Sequence, residues 1–390
     1  MNRLYRSVIS KISVNVTLLF SLLACGGGSG GDDNNNQTTT PDTDLNNISG
    51  RIFVNDRNNG VMVDISSGTV SKVPNVNWDQ TGDYSPRATF TAVPNKEGSL
   101  FVLTIDNCDY LSSENSGYRY RDCIVILDAS GNVIRSQQFY EGLWEGAKAS
   151  FNGSYIAYMY MDEPNESNPN AELHIVDSAF QYLSGTEINH SVSFNSGLLW
   201  RDFDWVNTGQ IIYGYDNSLF LTDAYETVGR LIYTIPTATT NSDHFISKPK
   251  ISPDGKKIAF RYMLDSNHLI KQGNVWVMNI DGADPHRLVY TPDYKAADGS
   301  TISAYQVYND FDWSPDGRHI VVLEGGTSGD LVSGPDGAGD TLYIIPSDSR
   351  DVPLNNDGEH GIIHLRTYYH NSTELSYRFE PYSGTITWVH

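Results

Sequence analysis

Positive charge is in short supply in this chain. Lysine and arginine number 26 against 47 aspartates and glutamates, a formal net charge of −21 over 390 residues. Such a surface repels phosphate backbones and anionic headgroups, which excludes nucleic acid as a partner; it would attract cations or basic partners. Long apolar runs are missing as well. The one concentrated stretch, residues 12–24, is too short to span a bilayer. After residue 50 no segment carries apolar residues at helical spacing. A nucleophile elbow is also absent. The lone Gly-x-Ser-x-Gly match, Gly27 to Gly31, lies in a glycine run with no strand before it or helix after it. His360 and His364 are four apart, but their segment reads as a strand, where that spacing spans about 13 Å. Carboxylates are plentiful, so a hydrolytic pair, defined by separation in space, cannot be picked out from sequence.

The N-terminus carries an address. Arg3, Arg6 and Lys11 precede the apolar stretch, and Leu22-Leu-Ala-Cys25 closes it. This resembles the bacterial lipobox, which implies that residues 1–24 are a lipoprotein signal peptide and that Cys25 is acylated. Gly26, rather than aspartate, follows the cysteine, so the resemblance implies the outer membrane, on its periplasmic or its outer side. Losing three cations would leave the mature chain at −24 (−21 − 3). Residues 25–49 are rich in Gly, Asp, Asn and Thr and read as a flexible tether with a mean span of about 25–30 Å. Cys25 being consumed by lipid, Cys108 and Cys123 remain as an even pair in an exported protein, which predicts a disulfide. It would close a loop of about 15 residues, worth on the order of 3 kcal/mol.

Residues 50–390 contain a repeated phrase. Ile251-Ser-Pro-Asp-Gly-Lys-Lys-Ile-Ala-Phe260 is matched by Trp313-Ser-Pro-Asp-Gly-Arg-His-Ile-Val-Val322. Each is a strand end, a tight turn and a second strand, and each is followed by a further strand and turn. Four strands per unit is the signature of a β-propeller blade. Aligning on the turn glycine gives six units, at Gly98, Gly153, Gly209, Gly255, Gly317 and Gly384. The last unit lacks its outer strands, and Arg51–Val54, Gly60–Ile65 and Ser67–Val73 look like them. The fold class is therefore all-β: a six-bladed propeller closed by pairing N- and C-terminal strands, with a hidden seventh blade as the alternative. The phrase resembles the WD-like repeat of TolB-type propellers, a fold that hosts many activities. TolB itself has an extra N-terminal domain and the related oligopeptidases a hydrolase domain, and this chain has room for neither.

Five residues before the turn glycine stand Lys148, Asp204, Lys250 and Asp312 in four successive units. Their alternating signs predict ion pairs between blades close to the axis.

Loop lengths point to a recognition face. The a–b turns (253–255, 315–317) and c–d turns (66–68, 281–282) are short. The b–c loops (106–121, 161–171, 264–273, 324–340) and d–a connections (77–88, 237–247, 289–307, 366–376) are long. In a blade both long classes fall on one face of the disc. That face holds Trp78, Tyr118, Tyr120, Trp144, Trp200, Tyr294, Tyr305, Tyr308, Tyr368 and Tyr369 as candidates for binding. Trp205, Trp276, Trp313 and Trp388 sit within strands and are assigned to packing. No cofactor is implied, except that Asp330, Asp336 and Asp340 in a glycine-rich loop offer hard oxygens suited to calcium. The loop otherwise reads as a mobile acidic segment. The function read from this is non-enzymatic binding of a protein, peptide or glycan on the loop-rich face. The alternatives are a carbohydrate-active or other polymer-degrading enzyme on the same face, or a structural envelope protein.

Overall fold

The structure is a computed structural model. It describes residues 48–56, 59–77, 88–96, 98–105, 121–140, 143–161, 171–187, 202–206, 209–215, 217–223, 226, 229–236, 243–266, 269–290, 292, 294–295, 301–302, 306–324, 341–354, 359–365, 368–369 and 385–390. All belong to the compact unit Pro41–His390. Apart from two single-turn 3₁₀ segments, every regular element among them is a strand.

The chain opens with β1 (Arg51–Asp56), β2 (Asn59–Asp64) and β3 (Thr69–Asn77), the outer part of blade 1. Blade 2 is β4 (Ala88–Ala92), β5 (Leu100–Ile105), β6 (Arg121–Asp128) and β7 (Val133–Tyr140). Blade 3 is β8 (Leu143–Ala149), β9 (Tyr155–Met161), β10 (Ala171–Asp177) and β11 (Tyr182–Glu187). Blade 4 is β12 (Asp202–Trp205), β13 (Gln210–Tyr215), β14 (Ser218–Asp223) and β15 (Arg230–Thr234). Blade 5 is β16 (Asp243–Ile251), β17 (Lys257–Ser266), β18 (Leu269–Asn279) and β19 (His286–Arg287). Three two-residue strands follow: β20 (Val289–Tyr290), β21 (Tyr294–Lys295) and β22 (Thr301–Ile302). Blade 6 is β23 (Gln306–Trp313), β24 (His319–Glu324), β25 (Thr341–Pro346) and, after the short β26 (Val352–Pro353), β27 (Ile363–Leu365). β28 (Tyr368–Tyr369) lies against β3, and β29 (Ile386–Val389) is the inner strand of blade 1.

Six blades therefore form the ring, and no seventh is needed. The closure combines one C-terminal strand with three N-terminal ones: β29 pairs antiparallel with β1, Arg51 opposite Val389 and Val54 opposite Ile386. This pairing removes the free edge a linear array would expose. Apolar side chains from both faces of each sheet fill the clefts between blades. Ile212 and Leu219 of blade 4, for example, pack on Ile246, Ile258, Phe260 and Met278 of blade 5. The approach there is close enough that a Cβ on Gly214 would sit 2.9 Å from the carbonyl oxygen of Ile246.

The repeated phrase is a hydrogen-bonded turn. The Ser252 hydroxyl donates to Asp254 Oδ1 at 2.8 Å and accepts from the Lys257 amide at 2.9 Å. Asp254 also accepts from the Lys256 amide, and Gly255 takes the left-handed conformation, φ +71°. Ser314, Asp316 and Gly317 repeat this bond for bond. The degraded phrase of blade 3 is the same turn, with Asn152 replacing the aspartate and Phe151 the proline. Serine, a side-chain carbonyl and a residue tolerant of positive φ are the conserved physical needs of the turn; proline is not.

Four loop assignments change, those of 289–307 and 366–376 only by the short strands β20, β21, β22 and β28 and the start of β23. Residues 264–273 are mostly paired strand: β17 and β18 run on to Ser266 opposite Leu269. Likewise β16 begins at Asp243, inside the segment 237–247 read as a connection. The polar residues Asp265 and Ser266 carry the signature of a loop, but pairing on both sides of β17 overrides it.

Candidate functional site

The inner strands converge on the axis. Blades 4 and 6 present the same tetrapeptide there, Asp202-Phe-Asp-Trp205 and Asp310-Phe-Asp-Trp313, while blades 3 and 5 present lysine. Phenylalanine and tryptophan point into the clefts between blades and are buried. The aspartates, at period two, point the other way. Lys148 of blade 3 pairs with Asp202 of blade 4 at 3.1 Å. Lys250 of blade 5 pairs with Asp312 of blade 6 at 3.9 Å, and Lys248 with Asp310 at 3.4 Å. The indole of Trp205 donates to the Lys148 carbonyl and that of Trp313 to the Lys250 carbonyl. Each lysine blade is thus clasped to the Asp-Phe-Asp-Trp blade that follows it.

The carboxylates also hold the next blade. Asp204 accepts from the Ile251 amide at 3.0 Å, Asp310 from Ile386 at 2.7 Å and Asp312 from Trp388 at 2.8 Å. The inner edge of a blade has amides with no strand to pair with, and these oxygens satisfy them. Between blades 1 and 2 and between blades 2 and 3 threonines do the same. Thr385 and Thr387 accept from Phe90 and Ala92, and Thr104 accepts from Ala147. Lys250 reaches farther still, to the Ile386 carbonyl of blade 1 at 3.2 Å.

Of the predicted alternation, the Lys250–Asp312 pair forms as expected. Lys148 instead pairs with Asp202, two residues from Asp204, and Asp204 spends its oxygen on backbone. Residues 202 and 204 share one face of β12, so strand period alone does not say which of them a long lysine side chain meets.

Burial and charge compete here. Burial pushes the Asp312 carboxyl up to about 6, beyond what Lys250 can offset. Burial raises Asp204 in the same way. For Asp202 burial is outweighed by Lys148 and Lys248, which hold it below the usual range. Burial lowers Lys248 despite Asp310. Lys250 stands the other way: burial opposes its charge, but Asp312, Asp310, Asp204 and Asp202 together raise its ammonium above the ordinary lysine range.

The remaining sequence candidates divide by position. Trp78, Tyr118, Tyr120, Trp200, Tyr305, Asp330, Asp336 and Asp340 lie outside the described residues, as do Cys25 and Cys108. For Trp144, Tyr294, Tyr308, Tyr368 and Tyr369 the backbone is described: Trp144 occupies a bulge in β8, and Tyr368–Tyr369 pair parallel with Thr69–Val70 on the outer edge of blade 1. Cys123 is buried in β6 opposite Ile105.

A second feature was not foreseen. Asp204 and Lys250 occupy equivalent places, opposite Ile212 and Ala259, which sets Tyr262 level with Tyr215. Blade 4 turns back immediately after Tyr215, to Ser218. Blade 5 continues through Met263–Gly273, Leu264–Gln272, Asp265–Ile270 and Ser266–Leu269. At about 3.3 Å per residue, these pairs raise a wall on the order of 13 Å above its neighbour. β23 braces the wall from behind, Gln272 and Gly273 pairing with Gln306 and Val307. At the foot of the wall, on the side facing blade 4, stand Tyr262, Asn274 and Trp276. The Tyr262 and Trp276 rings are 5.4 Å apart, and the Tyr262 hydroxyl bonds His244 Nδ1. Three inner-strand tryptophans, Trp205, Trp313 and Trp388, donate to backbone carbonyls. Among the described residues Trp276 Nε1 has no partner, and neither has Oδ1 of Asn274, a residue only 2% exposed.

No protein-family model matches the chain, and no curated protein matches it in sequence. Solved structures match at low identity. A protein assigned as TolB from Agrobacterium tumefaciens is 13% identical over 81% of this chain and 88% of its own, with a TM-score of 0.42. The periplasmic gluconolactonase of Pseudomonas aeruginosa is 10% identical, covering 78% of this chain and 94% of its own, with a TM-score of 0.40. The GH74 xyloglucanase of Xanthomonas campestris is 11% identical over 79% of this chain and 44% of its own, with a TM-score of 0.45. The TolB-like six-bladed architecture rests on the strand pairing and repeat turns described above.

Proposed function

We propose that this protein is a non-enzymatic binding module, held at the outer membrane by lipid on Cys25, that takes a protein, peptide or glycan on its loop-rich face. One observation carries the reading: chain elaboration is one-sided. The a–b turns of blades 3, 5 and 6 are one and the same hydrogen-bonded corner, while the opposite face carries the raised wall of blade 5 and, by the sequence, the long segments. Loops and hairpins on a rigid scaffold are where recognition resides. The ionised groups on the axis support the same reading, because they are committed to one another and to backbone.

The test is retention. Full chain immobilised through its C-terminus is offered envelope proteins, peptides and polysaccharide fractions. A fraction retained with its mass unchanged supports a binding module. Recovery of shortened fragments, or retention of nothing, overturns it.

The address and the crosslink belong to the same proposal. Residues 1–24 are removed, residues 25–49 form the tether, and Cys108 pairs with Cys123, which lies buried in β6. Mass spectrometry of protein taken unreduced from membranes is expected to find acylated Cys25 as residue one and a peptide joined through Cys108 and Cys123. A retained Met1 refutes the anchor, and a free Cys108 thiol refutes the pairing.

A further inference from the structure

Closing the ring removes the free edges between blades, but each blade still ends in an outer strand whose far side has no neighbour. Such a side is a row of unpaired amides and carbonyls, a template for another strand unless something guards it. In blade 1, β28 takes the start of that side and Pro74 interrupts the rest of β3. In blades 5 and 6 the outer strands β19 and β27 are only two and three residues long.

Blade 2 is different. β7, Val133–Tyr140, is eight residues long and contains no proline, lysine, aspartate or glutamate. Every residue from Asn132 to Gln138 is exposed, and among the described residues no strand pairs with the outer side of β7. Its one guard is a bulge near its start, beyond which Arg135–Tyr140 run in unbroken register with β6. The rim here is also apolar. Of the six exposed large hydrophobics among the described residues, five sit on the outer strands of blades 2, 3 and 4: Val133, Ile134, Tyr182, Leu183 and Leu231.

Charge selects the occupant. A chain at −21 repels its own copies over most of its surface. β7 carries no acid, and its one cation, Arg135, is engaged by the Ser178 carbonyl at 3.0 Å. Two copies can therefore approach here without opposing carboxylates. A basic partner would be drawn to the acidic surface instead.

We propose that β7 is a self-association edge, at which a second copy of this chain pairs its own β7 antiparallel to form a two-fold dimer. Opposed positions in an antiparallel pair alternate between hydrogen-bonded and non-bonded. Identical edges therefore close a two-fold only with some residue opposite its own copy. Centred on Ser136, Gln137 or Gln138, such a pair never sets Arg135 against Arg135. The dimer joins rim to rim, so it is independent of the ligand face.

The experiment is sedimentation velocity of the full chain, with micelles in excess over protein. A single paired strand is a small interface, so the mass is expected to rise from one chain to two between about 1 and about 100 µM. Ser136→Glu/Gln138→Glu places acid against acid in all three registers and is expected to weaken the dimer about tenfold or more. Arg230→Gln/Leu231→Glu makes the same change of net charge on β15 and is expected to leave it intact. Mixing Ser136→Glu/Gln138→Glu with Ser136→Lys/Gln138→Lys should restore a dimer of one chain of each. A chain that stays monomeric throughout overturns the proposal. So does a dimer that survives the β7 acids, one that the β15 variant weakens equally, or a mixture that stays monomeric.

Discussion

Ending the chain after Gly384 is expected to abolish cooperative folding, not merely to fray a terminus. The truncation removes β29, all four of whose residues are buried. Ile386, Trp388 and Val389 contribute about 1.5–3 kcal/mol each in apolar burial, which alone is comparable with the 5–15 kcal/mol by which most domains are stable. The loss does not stop there. β1 becomes an open edge, Asp310 and Asp312 lose the amides they accept from, and Phe90 and Ala92 lose the hydroxyls of Thr385 and Thr387. A thermal melt of the truncated chain should show no sigmoidal transition. A transition within a few degrees of the full chain would mean that the ring is not closed by β29.

Replacing Lys250 with methionine is expected to cost about 3–5 kcal/mol, the range for removing one partner of a buried pair. Lys250 is the counter-charge for Asp312 and, more distantly, for Asp310, Asp204 and Asp202. Its removal should also change the response to pH. In the folded protein the Asp312 carboxyl titrates at about 6, above its ordinary 3.8. A raised carboxyl binds more protons folded than unfolded, so its contribution to stability falls as pH climbs from about 4 to about 6, by up to about 1.4 kcal/mol per unit. Without the ammonium that carboxyl rises further, and the decline extends to higher pH. The penalty of Lys250→Met should therefore be largest above pH 6 and shrink toward pH 4. Denaturant melts of both proteins at pH 4.5 and 7.5 measure it, and Lys250→Met/Asp312→Asn should recover part of the loss. A penalty independent of pH, or additive in the double variant, would show that the pair is not coupled.

Much of the ring was legible because its turns are local. Ser-Pro-Asp-Gly specifies its own hydrogen bonds within six residues, and a resemblance between two such phrases is enough to find the blade. The closure was legible in part: the first residues did resemble the strands the last unit lacks, but Gly384, aligned as a turn glycine that follows an inner strand, precedes the inner strand β29 instead. What lies between blades was read less well. Asp202 and Asp310 went unnoticed as partners, although Asp-Phe-Asp-Trp occurs twice and could have been found as a repeat in its own right. The wall of blade 5 was hidden by composition: Asp265 and Ser266 suggest a loop, and only the pairing of β17 with β16 and β18 makes them strand. The orphaned groups of Asn274 and Trp276 have no signature in sequence, because lacking a partner is a property of surroundings. Trp276 itself was assigned to packing, and it does pack against Phe260 and Tyr262.

The one-plus-three closure also sets an order of events in time. The indole of Trp388 reaches the Ser49 carbonyl across 339 positions of sequence, and β1 waits for β29 over nearly the same distance. Blades 2 to 6 are each built from neighbouring segments and are free to form as they emerge. Blade 1 is not: its first three strands are made at the start and its fourth at the end. Contacts so remote in sequence are slow to form. Until the final residues arrive, Asp310 and Asp312 of blade 6 have no amides to accept from, and Phe90 and Ala92 of blade 2 lack the threonine hydroxyls of β29. The step that limits folding should therefore be the docking of six C-terminal residues, and a chain stalled short of them would persist as an open arc with two sticky ends.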